Sequence, residues 1–433
     1  MNVRFLQRID RYAGAPLCFC LTVVGKVFGR RPRAGPAAAR RILFVKLAEQ
    51  GSTVLAAPAI RRAIEMAGRE NVYFVVFQEN RFILDLLELI PEQNVIPICT
   101  QGFLRMGLSA LKAMRRLRRL RLDAVVDMEF FSRGSAVISF LSGARARVGF
   151  HAFFGGGPYR GDLMTHRICY NPGLHTTAAF RVLVEALTQD PAKLPALDFK
   201  PPQAELELPA FVPAAGEIES VEEMLPGHTG RGRPIILLNP NAGDLLPLRQ
   251  WPRERYVQLA HRLLAELPEI QIIFTGALGE APEIEPLALQ VNSTRCLSLA
   301  GKTTLRQLMV LYTLSDMLVT NDSGPAHFAA LTPIRVVTLF GPETPALFAA
   351  PSPRNLPLWA GLSCSPCVNA YNNRQSTCRD NQCMKQITVN QVFNEVCRLY
   401  RQSIRDKSGG INLTGLAGSG RPDAGVNRCN ASS

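Results

Sequence analysis

The stretch Val319-Thr-Asn-Asp-Ser-Gly-Pro-Ala-His-Phe-Ala-Ala330 joins a short apolar run to a run of small residues. It predicts a β-strand, a tight turn and a helix, in this order. Asp322 or Ser323 can cap the helix, and Gly324 allows a ligand to approach the backbone closely. The first N–H groups of a helix attract anions, so the turn is either a phosphate site or an ordinary helix cap. His327 lies one turn further on and is expected to face the same place.

The surrounding sequence alternates between apolar and amphipathic runs, which is typical of an α/β fold. We predict strands at residues 234–239, 270–275, 317–320 and 335–340, and helices at residues 253–267 and 304–314. Ligands of open α/β sheets bind at the carboxyl ends of the strands, so the loops that follow these strands are expected to form one site. This context favours the phosphate site over the simple cap at Asp322.

The loops after the first two of these strands carry further candidate binding residues. Asn241 lies in the first loop, and Arg249 beyond it is a candidate phosphate ligand, with an ordinary surface arginine as the alternative. Trp251 is expected to pack in the core rather than to stack on a nucleotide base. Glu280 and Glu283 follow the next strand, and either carboxylate is suited to hold a ribose diol.

The first half of the chain shows the same alternation. Strands are predicted at residues 41–46, 72–77 and 124–127, with a helix at residues 58–65, so a second parallel α/β domain is expected. We divide the chain into an N-terminal segment (1–40), a first domain (41–205), a Pro-rich linker with a short helix (206–232), a second domain (233–405) and a disordered tail (406–433).

The composition bounds the class of protein and its partners. A chain of 433 residues is expected to form two domains, and its net charge of +14 and pI near 9.6 favour anionic ligands or surfaces. Nucleic acid is not expected, since the aromatic and basic signatures of RNA-binding modules are missing. The chain has eleven cysteines, an odd number, and seven of them are dispersed, which favours a reducing compartment, so we expect a cytoplasmic protein.

Two segments are candidates for contact with a membrane. The apolar stretch 13–24 is too short to span a bilayer, and we predict either an amphipathic, membrane-touching segment or a packing helix. The predicted helix at residues 103–122 has a strongly cationic face, which is either a solvated surface or a surface that meets anionic lipid headgroups. Among its basic residues are Arg105, Lys112, Arg115, Arg116 and Arg119, which are interleaved with Leu104, Leu108, Leu111 and Leu120.

Four cysteines near the C-terminus follow a C-x2-C-x10-C-x4-C pattern. They are Cys364, Cys367, Cys378 and Cys383. Two short loops that each bring two thiolates together can hold zinc tetrahedrally, whereas free or paired thiols are the alternative. The sequence therefore leaves a structural zinc site open.

Several motifs together resemble glycosyltransferase family 9, the ADP-heptose:lipopolysaccharide heptosyltransferases. In the second half these are Asn239-Pro-Asn, Arg249-Gln-Trp-Pro, Thr275-Gly, Ala300-Gly-Lys-Thr-Thr304, Asn321-Asp-Ser-Gly-Pro-Ala-His327 and Phe340-Gly-Pro-Glu-Thr-Pro345. In the first half they are Val45-Lys-Leu, Gly51, Pro58-Ala-Ile, Asp127, Arg133 and Ser142-Gly-Ala-Arg-Ala-Arg-Val-Gly-Phe150. The resemblance covers roughly residues 41–400.

The resemblance implies a GT-B fold, with two facing Rossmann-like domains, and inverting, metal-independent transfer of heptose or a related sugar. It implies an ADP-heptose-like donor on the second domain and a lipid-linked glycan acceptor on the first, with the protein peripheral at the inner membrane. Asp322 would meet sugar hydroxyls, Ser323, Gly324 and Arg249 the diphosphate, Glu280 or Glu283 the ribose, and the backbone from Leu299 to Gly301 the base; Asn241, Thr275 and His327 complete the donor site. Lys46, Gly51 and Ser52 would lie on the acceptor side.

One position departs from the family pattern. Members usually carry Gly-Asp in the first loop, where the aspartate activates the acceptor hydroxyl, but this chain has Gly51-Ser52. A serine hydroxyl is a poor general base, so we expect Glu49 to replace the aspartate, with Glu79 as a weaker candidate. A sugar-nucleotide epimerase and a catalytically silent sugar-nucleotide-binding protein remain the alternatives.

Overall fold

The computed structural model describes residues 3–28, 39–153, 158–225, 233–243, 246–372 and 374–409. The first half contains the strands β1 (Ile42–Val45), β2 (Val72–Phe77), β3 (Val95–Ile98), β4 (Ala124–Asp127), β5 (Ala146–His151) and β6 (His166–Cys169). They form one parallel sheet in the order β3-β2-β1-β4-β5-β6. The α-helices of this half are α1 (Val3–Tyr12), α2 (Gly14–Phe28), α3 (Gln50–Leu55), α4 (Ala57–Ala67), α5 (Arg81–Leu87), α6 (Phe103–Leu120), α7 (Arg133–Leu141) and α8 (Thr176–Glu185).

The second half repeats this plan. Its strands are β7 (Ile235–Asn239), β8 (Gln271–Phe274), β9 (Cys296–Ser298), β10 (Met317–Asn321), β11 (Arg335–Phe340) and β12 (Asn355–Trp359). They form a second parallel sheet in the order β12-β11-β10-β7-β8-β9. Its α-helices are α9 (Glu217–Glu222), α10 (Arg253–Glu266), α11 (Ala281–Val291), α12 (Leu305–Leu314), α13 (Gly324–Ala329), α14 (Pro345–Phe348), α15 (Gln382–Lys385) and α16 (Val389–Gly409).

The central strands explain the continuous apolar runs in the sequence. Every residue of β1, β7 and β10 is buried, because helices cover both faces of each sheet. Burial of each large apolar side chain there contributes about 2 kcal/mol to folding. All seven predicted strands are present, and their ends lie within one residue of the predicted ones.

The strand order places one switch point in each sheet. In the first sheet the chain changes direction between β1 and β4, and in the second it changes direction between β7 and β10. Loops that leave neighbouring strands at such a point turn to opposite faces and open a crevice between them. The candidate site residues follow these four strands, so the topology alone concentrates them.

The linker packs on the second half. Helix α9 of the linker packs against α12, and the backbone N–H of Phe211 donates to the carbonyl of Leu331 at 2.7 Å. The predicted short helix in this segment is thus confirmed, whereas residues 226–232 lie outside the described residues. Of the predicted tail, residues 410–433 also lie outside them, and α16 continues to Gly409, beyond the predicted start at residue 406.

The N-terminal segment forms two helices that pack on α7. Gly14 and Cys18 are buried against this helix, and a Cβ atom at Gly14 would collide with the Cβ of Arg133 at 2.7 Å. The predicted packing is present on one side of α2, and the other side exposes large apolar side chains, among them Phe19 and Val27. Contact with a membrane stays a prediction. Within the described residues, no helix combines the length and the apolar character needed to cross a membrane.

A carboxylate of α1 caps α7. Asp10 Oδ1 accepts hydrogen bonds from the backbone N–H groups of Arg133 and Gly134, both at 2.8 Å, and from Ser132 Oγ at 3.2 Å. These N–H groups have no acceptor within their own helix, and the helix dipole favours a negative charge at this end. Asp10 therefore fastens the N-terminal helices to the first domain.

We expect Asp10→Ala to lower the free energy of unfolding by about 1–2 kcal/mol, because two helix N–H groups lose their acceptor. Denaturant unfolding measures the loss, and hydrogen exchange should accelerate at Arg133 and Gly134. Arg11→Ala on the exposed side of α1 is the control. Equal stability of the two variants would contradict a capping role for Asp10.

Candidate functional site

The two switch points face each other across the cleft between the halves. Helix α3, which follows β1, packs against α13, which follows β10. The contact is so close that a Cβ atom at Gly51 would overlap the imidazole ring of His327. The predicted phosphate turn is therefore buried under the first loop of the other half, with Asp322 at 2% and Ser323 at 7% exposure.

A chain of alternating charges crosses this cleft. On the first half, Glu49 forms an ion pair with Arg374 of the second half. Arg374 Nε also donates to Glu343 Oε1 at 2.9 Å, and the other oxygen of Glu343 lies 3.4 Å from Arg249 Nη1. Arg249 Nη1 lies 3.8 Å from Asp322 Oδ2. The predicted donor-site residues Arg249 and Asp322 are thus joined to the predicted base Glu49. The connection runs through Arg374 and Glu343, which the sequence did not single out.

On the first half the chain continues into the domain core. The Lys46 ammonium is fully buried and lies 3.3 Å from Glu49 Oε2 and 3.2 Å from Glu129 Oε2. Glu129 Oε1 accepts from the backbone N–H of Leu47 at 2.6 Å. Because Glu129 follows β4 and Lys46 follows β1, these contacts fix the loops on both sides of the switch point. Lys46 is therefore a structural support for Glu49.

Ser52 is a partner of Glu49. Its hydroxyl donates to Glu49 Oε2 at 3.1 Å and to the Glu49 carbonyl at 2.9 Å. Burial alone would raise the pKa of Glu49, but the Arg374 guanidinium and the Lys46 ammonium outweigh it and hold this pKa well below its usual range. Glu49 is therefore ionised in this arrangement.

The side of the cleft formed by the second half, where the sugar donor is predicted to bind, contains buried polar atoms without hydrogen-bond partners. Arg249 Nε, Asp322 Oδ2 and His327 Nδ1 belong to this group within the described residues. A buried polar atom without a partner costs about 1–3 kcal/mol, so three such atoms in one place indicate a site built for a polar ligand. All three residues are buried, with 2–9% of their surface exposed.

The protonation states of this side follow from burial. Burial raises the pKa of Asp322 to about 8, with the Glu343 carboxylate adding to the rise and Arg249 opposing it. Burial lowers the pKa of His327 to about 3, and the charge of Arg249 adds to this effect. At neutral pH the imidazole is therefore uncharged, and Asp322 carries a proton in much of the population.

Asn321 organises the donor-side loops. Its Nδ2 donates to the Pro240 carbonyl at 2.9 Å, and its Oδ1 accepts from the Trp251 backbone N–H at 3.0 Å and from the Tyr256 hydroxyl at 3.2 Å. Trp251 is fully buried, which confirms that it packs in the core. Asn321 is a buried amide at the end of a buried strand, one residue before Asp322, and this placement is the signal that could have marked it in the sequence.

Asn241 lies beside Asn321 and takes no part in the chain of alternating charges. Its carbonyl accepts from Asn321 Nδ2 at 3.3 Å, and its side-chain Oδ1 is 3.4 Å from Arg253 Nη2. Arg249 is 9% exposed, so the alternative of an ordinary surface arginine is wrong. The structure therefore brings Arg249 to the turn at Asp322 and leaves Asn241 as a loop contact.

The residues predicted to bind the nucleotide part of the donor lie in the loops after β8 and β9, along the same edge of the second sheet. Thr275 is buried and accepts from Asn239 Nδ2, while Gly301 has φ +71° and donates to the Gly276 carbonyl at 2.9 Å. Leu299, the predicted base contact, is buried nearby at 5% exposure. These loops lie at the carboxyl edge of the second sheet, and none of the residues named in them takes part in the chain of alternating charges.

The two candidate ribose carboxylates have different surroundings. Glu280 Oε2 accepts from the backbone N–H of Ala277 at 2.8 Å, so it is held within the loop after β8. Glu283 pairs with Arg253 on the surface of α11. Glu280 is therefore the better placed of the two. Glu79, the weaker candidate for the base, is exposed and accepts from Thr100 outside the charge chain.

Cys364, Cys367 and Cys378 lie in the loop that also carries Arg374, and Cys383 lies in the short helix α15 that follows it. Cys378 and Cys364 are exposed, Cys367 is half-buried and Cys383 is buried, and all four carry free thiols. Within the described part of the chain, no three side chains of His, Cys, Asp or Glu are arranged as ligands of a metal ion. Zinc binding by these cysteines therefore stays a prediction.

Comparison with known proteins gives a consistent family. Residues 110–377 match the model of "Glycosyltransferase family 9 (heptosyltransferase)". Lipopolysaccharide heptosyltransferase 2 of Salmonella typhimurium is 34% identical over 116 residues, which are 26% of this chain and 32% of the relative. Lipooligosaccharide heptosyltransferase 2 of Campylobacter jejuni is 29% identical over 176 residues, 39% of this chain and 52% of the relative. The chain thus spans about a third to a half of the length of these curated relatives.

Solved structures extend the likeness of the fold over most of the chain. The ADP-heptose lipopolysaccharide heptosyltransferase II of E. coli superimposes with a TM-score of 0.62 at 21% identity, over 84% of this chain and 99% of that one. A family 9 glycosyltransferase of Veillonella parvula gives a TM-score of 0.65 at 17% identity, over 85% and 99%. The fold is the two-domain GT-B fold that the sequence predicted. Since the family model covers more than half of the residues and includes the turn at Asp322, the chain belongs to glycosyltransferase family 9.

Proposed function

We propose that this protein transfers heptose or a related sugar from a nucleotide-diphosphate donor, most simply ADP-heptose, to a lipopolysaccharide core or similar glycan. The observation that carries the proposal is the buried chain of charges across the cleft, with unpartnered polar atoms on its donor side. The relatives named above are heptosyltransferases, and a solved relative is described as an ADP-heptose enzyme.

The donor would lie along the carboxyl edge of the second sheet. Its base would meet the backbone from Leu299 to Gly301, and its ribose would meet Glu280. Arg249 and the backbone of Ser323 would hold the diphosphate, while Asp322 would bind sugar hydroxyls. This order follows the edge from β9 to β10 and uses the buried polar atoms at its far end. A protonated Asp322 carboxyl can donate one hydrogen bond to a sugar oxygen and accept another.

Glu49 would act as the general base. It would accept the proton of the acceptor hydroxyl while that oxygen forms a bond to the anomeric carbon of the sugar. The bond from that carbon to the diphosphate oxygen breaks, and its electron pair leaves with the nucleoside diphosphate. Attack from the Glu49 side, opposite the leaving diphosphate, inverts the anomeric centre.

Stabilisation of the leaving diphosphate would come from the protein itself. The Arg249 guanidinium and backbone N–H groups supply the positive charge that a divalent cation provides in other enzymes, so we propose metal-independent transfer. Closure of the halves over the site, as in the contact between Gly51 and His327, would keep water from the donor. A structural zinc at the C-terminal cysteines is compatible with this proposal and takes no part in the reaction.

The two alternatives differ in what they do to the donor. An epimerase would change the sugar of the donor without an acceptor, and a silent protein would bind the donor without turnover. Incubation of the purified protein with ADP-heptose, with and without a lipopolysaccharide core acceptor, separates the three. Consumption of the donor that depends on the acceptor supports transfer.

We further propose that α2 and α6 bind the surface of a membrane rich in anionic lipid. The apolar side chains of Phe19 and Val27 on α2 and of Leu104 and Leu108 on α6 are 59%, 65%, 85% and 69% exposed, respectively. Both helices pack against α7 and so lie on the same side of the first sheet. The basic residues of α6 flank its exposed leucines, which suits a surface that combines acyl chains with phosphate groups. Such a surface would bring the first domain to a lipid-linked acceptor.

We expect Glu49→Gln to lower kcat by about 100-fold or more, because the amide cannot accept the proton. Steady-state kinetics with purified acceptor measure the effect. Glu79→Gln, which removes an exposed carboxylate near the same loop, is the control and should keep wild-type activity. Full activity of Glu49→Gln would exclude Glu49 as the base.

We expect Asp322→Asn to raise the melting temperature above that of the wild type, increasingly so from pH 4 to pH 8. The folded wild type retains a proton up to its pKa of about 8, whereas an unfolded aspartate releases it near pH 4, so wild-type stability falls as pH rises through this window. Asparagine cannot ionise and avoids this loss. Thermal unfolding across the pH range measures the difference, and the exposed Asp85→Asn is the control; a pH-independent difference would contradict the raised pKa.

We expect replacement of Phe19 and Val27 by serine, or of Leu104 and Leu108 by serine, to weaken binding to phosphatidylglycerol vesicles by about tenfold, because each pair removes apolar area from the contact. Co-sedimentation measures binding, which should also weaken as salt is raised. Leu289→Ser, at a residue 78% exposed on the second half, is the control. Equal binding of all variants would show that another surface, or none, meets the membrane.

A further inference from the structure

We propose that Arg374 is a donor-binding residue that exchanges partners, giving up Glu49 to bind the diphosphate of the donor. The inference rests on the function proposed above and adds a residue and an order of events to it. The observation behind it is geometric: Arg374 bridges the carboxylate that would act as the base and the carboxylate that holds the phosphate ligand Arg249.

The position of Arg374 is fixed from both halves of the molecule. The Tyr371 hydroxyl, three residues earlier in the same loop, donates to the Tyr170 carbonyl of the first half at 2.9 Å. The Tyr371 ring packs against Phe131 with the ring centroids 5.4 Å apart. The Arg374 guanidinium lies over the ring of Phe348, 5.0 Å from its centroid. The loop therefore carries a cation across the cleft and holds it there by apolar contacts as well as by charge.

Arg374 and Arg249 form a pair of cations around one carboxylate. The Glu343 side chain is 1% exposed and gives one oxygen to each guanidinium. Two guanidinium groups held at the spacing of a carboxylate can each bind one phosphate group of a diphosphate, since arginine forms paired hydrogen bonds with phosphate oxygens. The unpartnered Nε of Arg249 and Oδ2 of Asp322 lie at the same end of the chain of charges.

The exchange has a chemical consequence for the base. While Arg374 pairs with Glu49, that carboxylate is a weak base, because its pKa lies well below its usual range. A diphosphate brings two negative charges to the neighbourhood of Arg374 and competes with Glu49 for it. Once Arg374 moves to the phosphates, Glu49 keeps Lys46 and Ser52 as partners and becomes more basic. The donor would then have to bind before the acceptor hydroxyl can lose its proton.

The test compares nucleoside diphosphates with monophosphates. Calorimetry first identifies which of ADP, GDP and UDP binds the wild type, together with the matching monophosphate. We expect Arg374→Met to weaken binding of the diphosphate by about tenfold, with the monophosphate changed less than about twofold, since only the second phosphate loses a ligand. The diphosphate affinity of Arg374→Lys should lie between those of the wild type and Arg374→Met. Arg379→Met, at an exposed residue of the same loop, should bind the diphosphate as the wild type does.

A second variant tests the exchange itself. Glu49→Gln removes the competitor for Arg374, so it should tighten diphosphate binding severalfold in the wild-type background, by less in the Arg374→Lys background and not at all in the Arg374→Met background. This arm remains informative if Arg374→Met fails to fold. A merely structural Arg374 would change stability and leave the difference between diphosphate and monophosphate intact.

The outcomes separate the two proposals. If the wild type binds a diphosphate and Arg374→Met binds it equally well, the partner exchange is overturned and the transferase proposal stands. If Glu49→Gln tightens binding equally in every background, the competition is overturned. If the wild type binds none of the three diphosphates, the proposed function itself fails, and the exchange fails with it.

Discussion

The structure depends on one constraint: four carboxylates and three cations share a buried cleft between the two halves. They alternate in sign as Glu129, Lys46, Glu49, Arg374, Glu343, Arg249 and Asp322. Loss of one partner from such a buried pair costs about 3–5 kcal/mol, because it leaves a charge without compensation. The chain has one carboxylate more than it has cations, and the raised pKa of Asp322 removes this excess at neutral pH. The position of each group is therefore set by its neighbours on both sides.

The sequence predicted the framework and the donor turn because both are local. The central strands are continuous apolar runs, and the turn from β10 into α13 carries its signal within six residues. Arg249 was singled out because it lies beyond the loop that follows a predicted strand, and Glu49 because it lies in the first loop, where the family usually carries an aspartate. By contrast, Arg374 lies 325 residues from its partner Glu49, in a loop with no periodic pattern that could reveal this contact. Glu343 was inside a quoted motif, but nothing in that motif showed that it would join two arginines.

The surfaces show the same division between local pattern and tertiary contact. The spacing of basic residues predicted a cationic helix at α6, and the structure has it. The buried side of this helix is formed by Ala113 and Leu117, however, whereas Leu104 and Leu108 face outward. A helical repeat of leucines predicts which face of a helix is apolar, but it does not predict which part of the protein packs against that face. The buried side of α6 packs on the first sheet, where Ala113 and Leu117 share a core with Leu43, Val75 and Val125.

The departure from the family at Ser52 has a simple structural account. Glu49 and Ser52 are separated by one helical turn, and the serine hydroxyl donates to the glutamate carboxylate. The Glu49 carboxylate therefore lies beside the position at which the family usually carries an aspartate. Both Glu49 and its partner across the cleft, Arg374, have a left-handed backbone, with φ +67° and φ +55°, respectively. Left-handed backbone costs a residue with a Cβ atom about 1–2 kcal/mol. Strain of this size at both ends of one ion pair persists only where the surrounding contacts impose it, which is the condition expected at a functional site. This strain supports the proposal that Glu49 and Arg374 take part in chemistry in the cleft.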